Sequence, residues 1–264
     1  MDAKVVASDF FYPVAWWIIL PLLDAWNRHR RGLTLWSWHT LAVLLPSSVL
    51  LWLYFELLNI PGPQWRYVGG LPSVPAQVAL GVVSFATVLP IVVEFWWLFG
   101  GEFGFPFDLR PYRTALLVAA VMLSLIPLFN HISFWFNQGM WLVPALIILP
   151  RLEPSRESRG RWFIALIAAG LAMGLVWECL NWFSHTHWEY LILPNALHLF
   201  QMPVLGYGGF IPFALSGLAV FEALRRVRPQ LPVAIALYLL AIAGQWALTV
   251  VYLHNGLWRL LRPE

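Results

Sequence analysis

Charge is what this sequence has least of. Only 11% of its 264 residues are charged, against about 25% in an ordinary soluble domain, and 60% are hydrophobic. That shortage excludes a water-soluble enzyme, and the apolar excess excludes intrinsic disorder. Cysteine is nearly missing as well. Cys179 stands alone, so an internal disulfide is excluded and the redox compartment cannot be read. A Gly-x-Ser-x-Gly elbow, a His-Glu-x-x-His pair and a Cys/His zinc pattern are all absent. Gly206-Tyr207-Gly208-Gly209 has neither a lysine nor a preceding strand, so it is no phosphate loop and reads as close helix approach. The pI of 9.2 does not signal nucleic acid, because the arginines fall in short clusters between apolar runs.

What is present is apolar length: mean hydropathy is +0.70, with 17 tryptophans. A spanning helix needs roughly 20 mostly apolar residues. Eight candidates run at about 10–26, 33–58, 75–99, 114–130, 133–150, 162–182, 202–224 and 231–253. The fourth and fifth are short and share a turn near Asn130-His131, so a single re-entrant hairpin is the alternative. Met1-Asp2-Ala3-Lys4 lacks the basic region of a cleaved signal, and the first span reads as retained. On this scheme twelve of the sixteen Lys and Arg residues fall on one side. They include Arg28, Arg30 and Arg31, the cluster from Arg151 to Arg161, and Arg225, Arg226 and Arg228. The positive-inside rule puts those in the cytoplasm and both termini outside, in a membrane of the bacterial inner type.

An internal repeat runs through the chain. Phe55-Glu56-Leu57-Leu58-Asn59, Trp65-Arg66-Tyr67 and Pro90 recur as Trp177-Glu178-Cys179-Leu180-Asn181, Trp188-Glu189-Tyr190 and Pro212. The offset is 122 for the glutamates, asparagines and prolines and 123 for the Trp-x-Tyr pairs. The expected fold is therefore an all-α, polytopic membrane bundle of about eight helices. It divides into two four-helix repeats, residues 1–132 and 133–264, of like orientation about an axis along the membrane normal.

Glu56 and Asn59 are three apart, as are Glu178 and Asn181, so each pair shares a helix face at the outer end of its span. A carboxylate at the bilayer edge is costly unless paired or facing a cavity, which makes it a candidate catalytic group. The alternative is a packing hydrogen bond that glues the repeats together. If the two glutamates meet in a low dielectric they cannot both ionise, and the protonated one becomes an acid. Trp65, Tyr67, Trp188 and Tyr190 read either as an interfacial aromatic belt or as the wall of a lipophilic pocket whose ring faces steady a cation. His185 and His187 beside Glu189 fit no standard zinc spacing, so no metal is expected and those two are only weak candidates. Glu94 lies in the third span, and its counterpart at the same offset is Ser216.

A glutamate near a helix end, then Trp-x-Tyr, then a proline with a glutamate in the next helix, resembles the small integral-membrane lycopene cyclases. In this sequence the pattern is Glu56, Trp65, Tyr67, Pro90 and Glu94, with a second copy of Glu178, Trp188, Tyr190 and Pro212. The family has adjacent glutamates after its proline, whereas Glu94 stands alone four residues later. The match covers about 40 residues per repeat. The resemblance implies acid chemistry on an isoprenoid, carotenoid-type substrate. Glu56 or Glu178 would donate the proton, Asn59 and Asn181 would orient it, and Glu94 would join the Trp and Tyr residues around the substrate. A non-catalytic subunit or pigment- or lipid-binding scaffold of a larger membrane complex is the second expectation, and a small-molecule transporter the third. The expected partners are the bilayer, a lipophilic small molecule, and membrane subunits or a second copy of the chain. No cofactor is named by the sequence, and nucleic acid is not expected.

Overall fold

The structure, a computed structural model, describes residues 8–101, 110–112, 114, 115, 118, 156–192, 196–226 and 230–259. Seven α-helices carry the described chain: α1 (Phe11–Arg31), α2 (Trp38–Asn59), α3 (Val74–Phe85), α4 (Val88–Leu98), α5 (Arg156–Phe183), α6 (Phe210–Arg226) and α7 (Leu231–His254). Five stretches are long and apolar enough to cross a membrane: Trp38–Asn59, Val74–Leu98, Arg159–Phe183, Val204–Arg225 and Leu231–His254. These coincide with five of the expected spans. The span expected at 10–26 is α1, whose Trp, Tyr and Pro residues with Asp24 and Asn27 dilute its hydropathy. The spans expected at 114–130 and 133–150 lie, apart from 114, 115 and 118, outside the described residues, as do His131 and the boundary between the two expected halves.

Helix α1 presents Val14, Ile18, Leu22 and Trp26, spaced by four, on an exposed stripe. Helix α7 leaves Ile235, Leu239, Ile242, Trp246 and Val250 exposed. Apolar stripes of that size are stable in lipid rather than in water, so the chain is an integral membrane protein. The centre belongs to α4, which is buried at every position from Val88 to Trp97. It packs on α1, α2, α5 and α6, while α2 and α3 lie against α7.

The expected third span is broken between α3 and α4, and the cause is local. The Ser48 hydroxyl on α2 donates to the Phe85 carbonyl at 2.6 Å and accepts from Leu89 N–H at 2.9 Å. It thus occupies the helical bond that would join those two residues. Pro90, which has no N–H, leaves the Ala86 carbonyl without its helical donor.

Two small sheets qualify the all-α expectation. β1 (Trp65–Val68) lies between β2 (His187–Tyr190), antiparallel, and β5 (Trp258–Arg259), parallel; β3 (His198–Leu199) pairs with β4 (Met202–Pro203). The larger sheet ties together the ends of α2, α5 and α7 at one end of the bundle. Both Trp-x-Tyr segments alternate aromatic and charged residues, a period of two that suits a strand with one face on a core.

Candidate functional site

The two Trp-x-Tyr segments pair with each other. Trp65 lies opposite Tyr190, Arg66 opposite Glu189 and Tyr67 opposite Trp188, so all four aromatic rings share the face turned into the bundle. Each strand is pinned by an asparagine at the end of its preceding helix. Asn59 Oδ1 accepts from Gln64 N–H at 2.7 Å and its Nδ2 donates to the Trp65 carbonyl at 2.9 Å. Asn181 makes the matching pair of bonds to Trp188 N–H and C=O, both at 2.9 Å. The asparagines expected to orient the glutamates are therefore chiefly grips on the strand backbone. Each also reaches the neighbourhood of its glutamate: Asn59 donates to Tyr252 Oη at 3.0 Å, and the Asn181 amide stands close enough to interact with the Glu178 carboxyl.

Both glutamates are fully buried, yet their surroundings differ. Glu56 Oε1 accepts from Tyr67 Oη at 2.5 Å and from Trp52 Nε1 at 2.6 Å. Its Oε2 accepts from Trp65 Nε1 at 3.1 Å and from the Tyr252 hydroxyl of α7. Four donors from three elements thus converge on one carboxyl. Glu178 Oε1 accepts from Tyr190 Oη at 2.8 Å, and Trp188 Nε1 donates to the same phenol at 3.1 Å. Glu178 Oε2 is buried with no hydrogen-bond partner among the described residues. Burial, and next the neighbouring glutamate charge, push the Tyr67 and Tyr190 phenols well above their ordinary value, so both stay protonated at neutral pH.

Two cavities open on either side of these rings. One, of about 80 Å³, has Trp65, Trp188, Tyr190, Met202, Gly206 and Phe210 among its walls. The other, of about 40 Å³, lies by Tyr67, Leu80, Gly81, Ser84, Val88 and Trp188. Their linings correspond by number. Leu80, Gly81, Ser84 and Val88 stand 122 residues before Met202, Pro203, Gly206 and Phe210, and Phe55 in the larger cavity stands 122 before Trp177 in the smaller. Tyr67 and Tyr190, 123 apart, each line one of the pair. Trp52 and Trp188 line both cavities.

Other expected residues lie elsewhere. Glu94, fully buried, sits far along α4 and accepts from Asn27 Nδ2 at 2.7 Å. That is roughly 30 Å of helical rise from the sheet end of α3, so Glu94 does not join the Trp-x-Tyr cluster. His185 Nδ1 lies 2.7 Å from Asp9 Oδ1, whereas His187 Nδ1 faces the His185 carbonyl at 2.8 Å. The two rings do not converge, and among the described residues no group of three or more His, Cys, Asp or Glu side chains is arranged to hold a metal ion. The Gly206–Gly209 segment is only partly a close-approach element: a Cβ at Gly206 would meet the Met202 side chain at 2.7 Å, but one at Gly208 would meet nothing within 4 Å. Backbone-to-backbone approach occurs instead at Gly170, where a Cβ would meet the Phe210 carbonyl at 2.9 Å. Sequence reasoning missed Trp52, one turn before Glu56, and Tyr252, whose partner lies 196 residues away. Comparison with protein-family models, with curated proteins and with solved structures gives no match for this chain.

Proposed function

We propose that this integral membrane protein is an enzyme that takes one end of a lipophilic, isoprenoid-type molecule into the cavity of about 80 Å³ and transfers a proton to it. The observation that carries the reading is the half-satisfied Glu178 carboxyl behind Tyr190, a phenol that itself lines an otherwise apolar, aromatic cavity. Tyr190 is the group that would touch substrate. With Glu178 protonated, the Tyr190 hydroxyl would turn from Oε1 towards the substrate and give its proton to a double bond as it accepts the Glu178 proton, leaving a carbocation on the substrate and a carboxylate on Glu178. The faces of Trp65, Trp188 and Phe210 shield the cation, and loss of a neighbouring proton back through Tyr190 restores both charges. The net reaction is an isomerisation or cyclisation, so atoms balance without a co-reactant. A cavity of this size receives an end group and not a whole C40 chain, so the rest of the molecule would lie in the bilayer.

The correspondence of the two cavities at offsets of 122 and 123 supports descent by duplication, with the larger sheet at the junction of two like halves. The arginine clusters support a cytoplasmic location for the end opposite the sheet, and hence an outer-leaflet cavity. The test is product analysis with purified protein and isoprenoids of graded length. Glu178→Gln and Tyr190→Phe should each abolish turnover in folded protein, while activity surviving in proportion to folded protein would sink the enzyme. A non-catalytic lipid- or pigment-binding scaffold is the second reading. The observation favouring it is Glu56, whose four donors are what a structural keystone needs and leave it no free oxygen for chemistry.

A further inference from the structure

The smaller cavity differs from its larger counterpart in chemistry. Tyr12, Tyr67, Trp177, Trp188 and Trp258 all contribute to its wall, and a carboxylate, Asp9, stands at its edge. The ring planes are steeply inclined to one another: Tyr12 is at 85° to Trp188 with centroids 5.4 Å apart, and Trp177 is at 68° to Trp188 with centroids 6.4 Å apart. Rings set at such angles turn their faces and edges in several directions around one small volume. Asp9 Oδ1 is fixed by the Thr186 hydroxyl at 2.5 Å and by His185 Nδ1 at 2.7 Å. Partial burial pushes the Asp9 carboxyl up, but the hydrogen bonds from Thr186 and His185, the His185 charge and Gly70 N–H together outweigh it and hold the group below its ordinary value. It is therefore ionised at neutral pH. The larger cavity has Ile192, Met202 and Phe210 instead, and no carboxylate among the described residues that line it.

From this geometry we infer that the smaller cavity is a binding site for an organic cation, a methylated or primary alkylammonium group held against the aromatic rings with Asp9 as its counter-charge. The volume of about 40 Å³ exceeds the ~10–15 Å³ that one water requires and suits a head of a few heavy atoms. His185 already shares Asp9 Oδ1, so a ligand cation competes with that ring, and the charge of Glu178 reaches Tyr12 in the wall; two other carboxyls have partners of their own. Glu189 is bound to Arg66 at 2.7 Å on the other face of the strand pair, and Glu56 is enclosed by its own four donors. The inference is independent of the proposed catalysis, which uses the other cavity.

The experiment is calorimetric titration of the full chain, purified in a maltoside detergent free of amines, with tetramethylammonium, choline and 3,3-dimethylbutan-1-ol. The last is the uncharged carbon isostere of choline. Both cations should bind, and the isostere should bind at least about ten-fold more weakly, since it lacks the charge that the rings and Asp9 recognise. Asp9→Asn, at the partly exposed edge, should weaken choline about ten-fold. Tyr12→Phe should retain binding and Tyr12→Leu should lose it. If Tyr12→Leu fails to fold, the Asp9 variant and the isostere still decide the matter. Equal affinity for choline and its isostere, or no heat from either cation, would overturn the site. Reconstitution in phosphatidylcholine or in phosphatidylglycerol vesicles then separates the sources. Loss of choline binding only in phosphatidylcholine identifies a lipid headgroup as occupant, and unchanged binding in both identifies a free cation; both results uphold the site.

Discussion

Arg66 lies directly opposite Glu189 across β1 and β2 and binds it through Nε at 3.0 Å and Nη2 at 2.7 Å. The pair sits at the middle of the register, with Trp65 opposite Tyr190 on one flank and Tyr67 opposite Trp188 on the other. Across these three pairs, exchanging the two strands leaves the pattern of aromatic rings unchanged and swaps the sign of the central charges; the fourth pair, Val68 opposite His187, does not share that symmetry. Both side chains are about 30% exposed, so solvent screens much of the attraction, and the pair should contribute only about 0.5–1 kcal/mol. Arg66→Ala should lower the melting temperature slightly, and less so at high salt. The exchanged double variant, Arg66→Glu with Glu189→Arg, should recover most of the loss, and failure to recover would mean the ion pair is not what holds the strands in register.

The two glutamates should respond oppositely to the same substitution. Glu56→Gln puts an amide N–H₂ among four donors, leaving at least one buried donor without an acceptor. Each such group costs about 1–3 kcal/mol, so a loss on the order of 2–4 kcal/mol is expected in thermal unfolding. Glu178→Gln keeps a carbonyl oxygen for the Tyr190 hydroxyl and should cost about 1 kcal/mol or less. Equal destabilisation by the two variants would contradict this difference in surroundings.

The bundle was largely legible because apolar runs of spanning length leave few alternatives, and α2, α5 and α7 fall close to the expected limits, whereas the span expected from 202 opens with β4 and a 3-10 turn and α6 starts only at Phe210. The break at Ala86–Thr87 was not legible. It depends on a hydroxyl from α2, and Pro90 alone does not tell a kink from a continuous membrane helix. The Trp-x-Tyr segments stand out in the sequence as a repeated pair, but not as strands. Their alternation over four residues is too short to signal a strand until a partner strand is known, and the partner lies 123 positions away. Glu56 and Glu178 look alike in sequence. Their difference arises partly from Trp52, whose counterpart at the 122 offset is Gly174, and partly from Tyr252, a tertiary contact that no local pattern encodes.

The buried phenols give a pH signature. Tyr67 and Tyr190 lose their protons only well above the ordinary value near 10, by burial first and then by the adjacent glutamates. The folded state therefore keeps protons that the unfolded state releases. Stability from the neutral phenols is complete below about pH 10 and falls as pH rises above it. Melting temperature should accordingly decline above pH 10, more steeply in the parent than in Tyr67→Phe or Tyr190→Phe after allowance for their lower starting stability. Phenolate absorbance from these two positions should appear only with unfolding. Reversible ionisation of either one near pH 10 in the folded protein would show that water reaches the ring.

Phe210 and Phe213 of α6 line the larger cavity, and one glycine of α5 lets α6 approach α5 closely. A Cβ at Gly170 would meet Ile211 Cα and the Phe210 carbonyl, each at 2.9 Å, and Ile211 N at 3.1 Å. All three are backbone atoms at the first turn of α6, so no side-chain rotation can relieve the contact. Gly170→Ala should therefore cost about 1–3 kcal/mol by overpacking, in spite of alanine's better helix propensity. Relief requires α6 to move outward, and Phe210 is both at the contact and in the cavity wall. The variant should accordingly change the affinity of any lipophilic ligand of that cavity as well as the melting temperature. Gly160 in the same helix is the control. A Cβ there meets nothing within 4 Å, so Gly160→Ala should leave ligand affinity alone and add about 0.5–1 kcal/mol to stability. If both alanines stabilise alike, the close approach of α5 and α6 does not constrain the cavity.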